Sequence, residues 1–225
     1  MIVTIDGPTA SGKSTVAQLV AQELGYYYLP TGWFYRAVAY VLVTKCSYTE
    51  QMLENPSRSD IAGCVDSKKL LYTYEQNSGG KMFYDGKDIT PYLKDVQIDT
   101  YVAIISPIAD IRELVTQAQR NFAALHDSVI EGRDTGSIVF PHADYKFYLT
   151  ASLKVRGARW KADQAKRGNN FTQQEAQDQI THRDVRDEER EISPLIIPKG
   201  AFIVDNSEMD LNQTVQKIMS FIVIR

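Results

Sequence analysis

Cysteine and histidine are scarce in this chain: two cysteines and three histidines in 225 residues. Cys46 and Cys64 have neither metal-ligand nor redox spacing, so they are expected to be free thiols in a reducing cytoplasm. His126, His142 and His182 are scattered along the sequence and read as surface or capping residues, not ligands. No run of about 18 apolar residues occurs, which excludes a membrane-spanning helix. The first strand pattern begins at Ile2, which leaves no room for a signal peptide ahead of it. An excess of one charge is missing too. A net charge of −3 offers no electrostatic case for a nucleic-acid or membrane partner. There is no internal repeat and no low-complexity tract. What remains is 44% apolar and 24% charged, the composition of one generous globular domain with room for an inserted piece.

One stretch organises the rest. Gly7-Pro8-Thr9-Ala10-Ser11-Gly12-Lys13-Ser14 reads G-x-x-x-x-G-K-S, and Thr15 follows it. The apolar run Ile2-Val3-Thr4-Ile5 precedes it, and a helical pattern from Thr15 to Leu24 succeeds it. Strand, glycine-bounded loop and helix together are the context of a phosphate-binding loop. The glycines let the backbone approach a polyphosphate and turn its N–H groups inward. The helix N-terminus adds its positive dipole end. Lys13 supplies a charge for the β and γ phosphates, and Ser14 a hydroxyl for Mg²⁺. A nucleoside triphosphate is the expected ligand.

The remaining elements alternate. Tyr26 to Leu29 reads as a short strand, broken by Pro30-Thr31-Gly32, and a helix follows from Trp33 to Val43. A weak helix is expected over Thr49 to Glu54. Arg58 to Lys94 has a different texture. Leu70 to Tyr74 and Lys81 to Tyr84 flank Asn77-Ser78-Gly79-Gly80, a small antiparallel sheet inserted into the frame. Helices are expected over Val96 to Ile105 and Ile108 to Leu125, parted or kinked by Pro107. Ser128 to Glu131 and Tyr145 to Leu149 read as strands. A basic helix runs from Leu153 to Arg167, and a second, capped by Thr172, runs to Glu189. Phe202 to Val204 is a last strand and Leu211 to Ile224 a last helix. The β-α order predicts a parallel sheet with helices on both faces, an α/β fold.

Arginine is the second signal. Arg156, Arg159, Arg167, Arg183, Arg186 and Arg190 fall within one segment. At about 100° per residue, Arg183, Arg186, Asp187 and Arg190 share an arc of about 100°, while Asp184, Glu188 and Glu191 point away from it. Guanidiniums with one carboxylate on a single face suit phosphate and sugar binding. The plainer alternative is an Arg183–Asp187 pair on a solvated helix.

At this point the chain resembles the bacterial cytidylate (CMP) kinase family along essentially its whole length. The matching pieces are Ile5-Asp6-Gly7-Pro8 leading into Gly12-Lys13-Ser14-Thr15, and Thr31-Gly32-Trp33-Phe34-Tyr35-Arg36. Glu131-Gly132-Arg133-Asp134-Thr135-Gly136 with Val139-Phe140-Pro141 follows, and then Arg183 to Arg190 leading into Ser193-Pro194-Leu195. The first motif is common to many nucleotide-binding proteins; the Gly-Arg-Asp segment with the arginine-rich helix is far more specific.

The resemblance implies a P-loop kinase fold in three parts: a core at 1–57, 96–150 and 191–225, an inserted monophosphate-side domain at 58–95, and a helical lid at 151–190. It implies transfer of a phosphoryl group from ATP to CMP or dCMP, with Mg²⁺, in a cytoplasmic monomer. Carried over by residue, Gly7 through Thr15 would bind ATP. Thr31, Arg36 and Arg133 would take the acceptor phosphate, and Arg112 and Asp134 would face cytosine, with Ser106 nearby. Arg183 and Asp187 would hold the ribose beside Arg190. Lys13, Arg133, Arg156, Arg159 and Arg186 would stabilise the transferring charge. Three positions depart from the family pattern: Pro30 replaces an aspartate, Ala103 a base-contacting serine, and Trp160 a lid arginine. A kinase for another small acceptor and a nucleotide sensor without turnover are the competing readings.

Overall fold

The computed structural model describes residues 1–223. The chain divides into two compact units, one formed by residues 1–26 and 128–225, the other by Tyr27–Asp127.

The first unit opens with strand β1 (Ile2–Asp6) and helix α1 (Lys13–Leu24). Val3 and Ile5 of β1 are fully buried, and so are Thr4 and Asp6 on its other face, as an interior strand of a two-sided sheet requires. On α1, Val16, Ala17, Val20 and Ala21 form the buried stripe, at helical spacing.

The second unit carries β2 (Tyr27–Pro30), α2 (Thr31–Thr44), α3 (Arg58–Cys64), β3 (Leu70–Glu75), β4 (Gly79–Tyr84), β5 (Lys87–Asp88), α4 (Val96–Ile105) and α5 (Ala109–Ala123). β2 ends at Pro30 as expected, but Thr31 and Gly32 already belong to α2, which Pro30 caps and which starts ahead of the expected Trp33. Proline lacks an N–H that a helix start would leave unused anyway. The expected helix near Thr49 is a single 3₁₀ turn, Gln51–Glu54. β3, β4 and β5 form the antiparallel sheet read from the sequence, with Tyr72 opposite Met82. The Tyr72 hydroxyl donates to the Tyr28 carbonyl at 2.6 Å, and the Tyr27 ring stacks on His126 with centroids 3.9 Å apart. Pro107 does separate two helices. Cys46 and Cys64 are free thiols, brought within hydrogen-bonding reach of each other by the fold.

The first unit resumes with β6 (Ser128–Gly132), β7 (Tyr145–Thr150), α6 (Leu153–Lys166), α7 (Gln173–Glu188), β8 (Phe202–Asp205) and α8 (Leu211–Met219). Its strands run parallel in the order β6-β1-β7-β8. A π-helical turn at Thr135–Val139, which no periodicity announces, follows β6. Thr172 and Glu175 close a reciprocal capping box on α7, and Asp210 with Gln213 does the same on α8. α6 and α7 pack on each other, and α8 packs on α1. The expected end of α8 at Ile224 lies outside the described residues; the helix stops at Met219. Among the described residues no helix is long and apolar enough to cross a membrane.

Candidate active site

The loop between β1 and α1 is shaped by contacts that only its glycines permit. A Cβ on Gly7 would sit 2.1 Å from the Leu149 carbonyl oxygen, so β1 can turn there only without one. Gly12 caps α1 in the left-handed region at φ 91°. Lys13 folds back and donates from Nζ to the Pro8 carbonyl at 3.1 Å. Ser14 Oγ donates to Glu131 Oε1 at 3.1 Å, so a hydroxyl and a carboxylate converge at the start of α1.

Three arginines and an asparagine grip this loop. Arg133 Nη2 lies 3.4 Å from Thr9 Oγ1. Arg156 Nη1 donates to the Thr9 carbonyl at 3.0 Å, and Arg159 Nη1 to the Ser11 carbonyl at 3.2 Å. Asn206 Nδ2 reaches the same Ser11 carbonyl at 3.1 Å while its Oδ1 receives Arg159 at 2.9 Å. Arg156 and Arg159 thus both hold backbone carbonyls of the loop. So much positive charge around a buried ammonium has a price. Burial, aided by Arg133 and Arg183 and opposed by Glu131 and Asp187, pulls Lys13 from 10.5 down to about 7.

The arginine-rich face of α7 is only partly as expected. Asp187 is buried; its carboxylate receives Arg133 Nε at 2.8 Å and a guanidinium N–H of Arg190. Burial works against that carboxylate, yet the two guanidiniums hold it below the ordinary aspartate value. Arg183 and Arg186 are exposed. Asp184 does point away from the arginine arc, but into the protein. It accepts the Thr9 N–H at 2.8 Å and pairs with Arg156. Trp160 packs its ring on Phe171 with centroids 4.8 Å apart.

Asp6, at the end of β1, accepts the N–H groups of Thr135 and Gly136 at 2.8 and 2.7 Å. Those bonds favour its charge, but burial prevails and pushes it up to about 6. Asp134 is buried at the head of the same turn.

The remaining sequence-derived residues belong to the second unit. Arg36 donates to the Leu93 carbonyl at 2.7 Å and pairs with Asp99. Arg112 is buried, donates to the Ser106 carbonyl at 2.9 Å and lies 5.5 Å over the Tyr35 ring. Thr31 and Ser106 are buried, and the Thr31 carbonyl receives Gln119 at 3.2 Å.

The family model described as cytidylate kinase matches residues 3–223. The chain belongs to the cytidylate kinase family. The cytidylate kinase of Thermodesulfovibrio yellowstonii is 36% identical, over 97% of this chain and 96% of its own. Those of Chlamydia felis and Thermotoga neapolitana are 33% and 34% identical, each over at least 96% of both chains. Among solved structures, a shikimate kinase from Bacteroides thetaiotaomicron aligns over 98% of this chain and 97% of its own. Its TM-score is 0.50 at 12% identity. An uncharacterized protein from Eubacterium ventriosum aligns over 100% of this chain and 99% of its own, with a TM-score of 0.51 at 12% identity. These last two likenesses speak for the P-loop kinase fold alone.

Sequence reasoning gave no role to Asp6, Glu131, Asp184 or Asn206. Two signals could have found them. Asp6, Glu131 and Asn206 stand at or just past the C-terminal ends of strands, where open α/β sheets bind ligands. Asp184 continues the buried stripe Ala176, Ile180 at four-residue spacing.

Proposed function

We propose that this chain catalyses phosphoryl transfer from ATP to CMP and dCMP, giving ADP with CDP or dCDP. The carrying observation is the convergence of Lys13, Arg133, Arg156 and Arg159 on one phosphate-binding loop. Burial and the Arg133 and Arg183 guanidiniums hold Lys13 at about 7, and an anion bound beside it would favour its protonated form. An oxygen of the acceptor phosphate attacks the γ phosphorus, and the bond from that phosphorus to the β–γ bridging oxygen breaks, releasing ADP. Protein groups form no bond in this step, so positioning and charge supply the catalysis.

In this reading Gly7 through Thr15 hold ATP, with Lys13 on the β and γ phosphates. Arg133, Arg156, Arg159 and Arg186 offset charge on the transferring group. Thr31, Arg36 and Arg133 take the acceptor phosphate, Arg36 exchanging Asp99 for it. Arg112, Asp134 and Ser106 read cytosine, and Arg183, Asp187 and Arg190 hold the sugar. Residues 58–95 act as the acceptor-side piece and 151–190 as the lid of a monomer. Mg²⁺ fits the donor set. Among the described residues there is no group of three or more His, Cys, Asp or Glu side chains to cage a metal. The Ser14 hydroxyl and Glu131 carboxylate suit an ion that takes its other ligands from phosphates and water. When bound, Mg²⁺ would neutralise charge on the β and γ oxygens.

The test is an ADP-release assay with CMP, dCMP, UMP and AMP. We expect CMP to exceed UMP at least about 100-fold in kcat/KM, because uracil would leave charged groups of the base site unpaired. Equal rates with CMP and UMP would favour a general pyrimidine-monophosphate kinase. ATP binding with no ADP released by any of the four would favour a sensor.

A further inference from the structure

In the phosphate-binding loop, Thr9 is held by side chains on both sides of its backbone. Its N–H donates to Asp184 Oδ1 at 2.8 Å, and its carbonyl accepts Arg156 Nη1 at 3.0 Å. Those two partners are themselves paired through the same Nη1 and Asp184 Oδ2. The result is a closed ring: Thr9 N–H to Asp184, Asp184 to Arg156, Arg156 to the Thr9 carbonyl. The Arg156 side chain is anchored a second time, Nε donating to the Ala151 carbonyl at 3.0 Å. Only Nη2 then donates to no group among the described residues, and the ring fixes its direction.

Both ring members are largely withdrawn from water, with side-chain exposures of 13% for Arg156 and 9% for Asp184. Desolvation offsets most of what such a pair gains in attraction, so net stability is a poor reason to keep it. Geometry is a better one. The Thr9 N–H is committed to Asp184, so it is not offered to phosphate. That leaves the later N–H groups of the loop, and the Arg156 Nη2 edge, to meet the anion in a preset arrangement.

We propose that Asp184 is a positioning residue for phosphoryl transfer: it sets the Thr9 peptide and, through Arg156, aims a guanidinium edge at the phosphates. It touches neither substrate. The inference rests on the kinase reading, which CMP-dependent ADP release by the wild type tests separately.

The experiment is a double-mutant cycle of Asp184→Asn and Arg156→Ala, read in kcat/KM for ATP, with amide exchange at Thr9 measured in parallel. Asp184→Asn keeps the shape and one acceptor oxygen but loses the charge that orients Arg156. It is expected to lower kcat/KM about 30-fold in the wild type and less than about threefold in Arg156→Ala, a coupling in the range of contacting pairs. Exchange at Thr9 is expected to quicken about tenfold as a charged acceptor becomes neutral. Equal fold-losses in both backgrounds, a wild-type loss below threefold, or unchanged exchange at Thr9 would each overturn the proposal. If Asp184→Asn does not fold, Arg156→Lys decides by exchange alone. Lysine does not touch the Thr9 N–H, so a severalfold quickening there reports transmission through Asp184, and no change refutes it. Should the wild type release no ADP with any monophosphate, the kinase reading falls, while Thr9 exchange still reports on the ring.

Discussion

Lys13 offers a sharp test of the electrostatics, because its charge is poised to change where experiments are done. Burial and the neighbouring guanidiniums hold it at about 7 instead of 10.5. A triphosphate brings several negative charges to that ammonium and restores its preference for the proton. Binding must then be accompanied by proton uptake at alkaline pH. With a pKa of about 7, roughly half of Lys13 is charged at pH 7 and about 1% at pH 9. Affinity for a non-hydrolysable ATP analogue should therefore weaken about 50-fold from pH 7 to pH 9, approaching tenfold per unit. Calorimetry at pH 8 in buffers of different ionisation enthalpy should report close to one proton taken up, and Lys13→Met should take up none. The unliganded fold carries the same linkage with a definite sign. The unfolded chain binds more protons than the folded one between about 7 and 10.5, so Lys13 makes stability rise with pH across that range. An affinity that stays constant from pH 7 to pH 9, with no proton uptake, would refute the account of this site.

Other perturbations probe different parts. Asp187→Asn should raise KM for CMP about tenfold or more while that for ATP stays within about twofold; an equal rise for both would return Asp187 to a structural pair with Arg133 and Arg190. Asp134→Asn should shrink the preference for CMP over UMP about tenfold, measured as a ratio of kcat/KM, since an amide no longer repels the uracil O4 as a carboxylate does. Gly7→Ala places a carbon 2.1 Å from the Leu149 oxygen. It should cost about 3 kcal/mol or more, a drop in Tm of about 6–12 °C by calorimetry.

Local signals carried most of the fold into the sequence. The phosphate-binding loop was legible because its glycines, lysine and serine act within eight consecutive positions, and the strand and helix around it have clean periods. The π-helical turn at Thr135–Val139 was not legible. It is held by Asp6, 129 and 130 positions away from the N–H groups it accepts, and no local pattern encodes such a bond. The helix start at Thr31 was missed for a different reason. Pro-Thr-Gly is turn chemistry in isolation, and burial of Thr31, Phe34, Tyr35 and Val38 on one helix overrides it.

Asp184 shows where angle alone misleads. The helical wheel placed it correctly, off the arc of Arg183, Asp187 and Arg190. What the wheel does not say is which side of a helix is wet. On α7 only Arg183 and Arg186 of the arc are exposed; Asp187 on it is buried, and Asp184 beside it faces the loop. A charged residue on an apolar stripe of the spacing Ala176, Ile180, Asp184 must find a partner or be very costly to bury. Here it finds two: a backbone N–H of the phosphate-binding loop and an arginine of the neighbouring helix. The same reasoning orders the rest of the first unit. Asp6 ends β1, Arg133 follows β6, Ala151 follows β7 and Asn206 follows β8. Parallel strands bring these four ends to one edge of the sheet, and each supplies a group that the site uses. Asp6 fixes the turn after β6, and Arg133 joins Asp187 to Thr9. Ala151 and Asn206 each anchor one of the loop-gripping arginines. The site is thus a property of the strand order as much as of any motif.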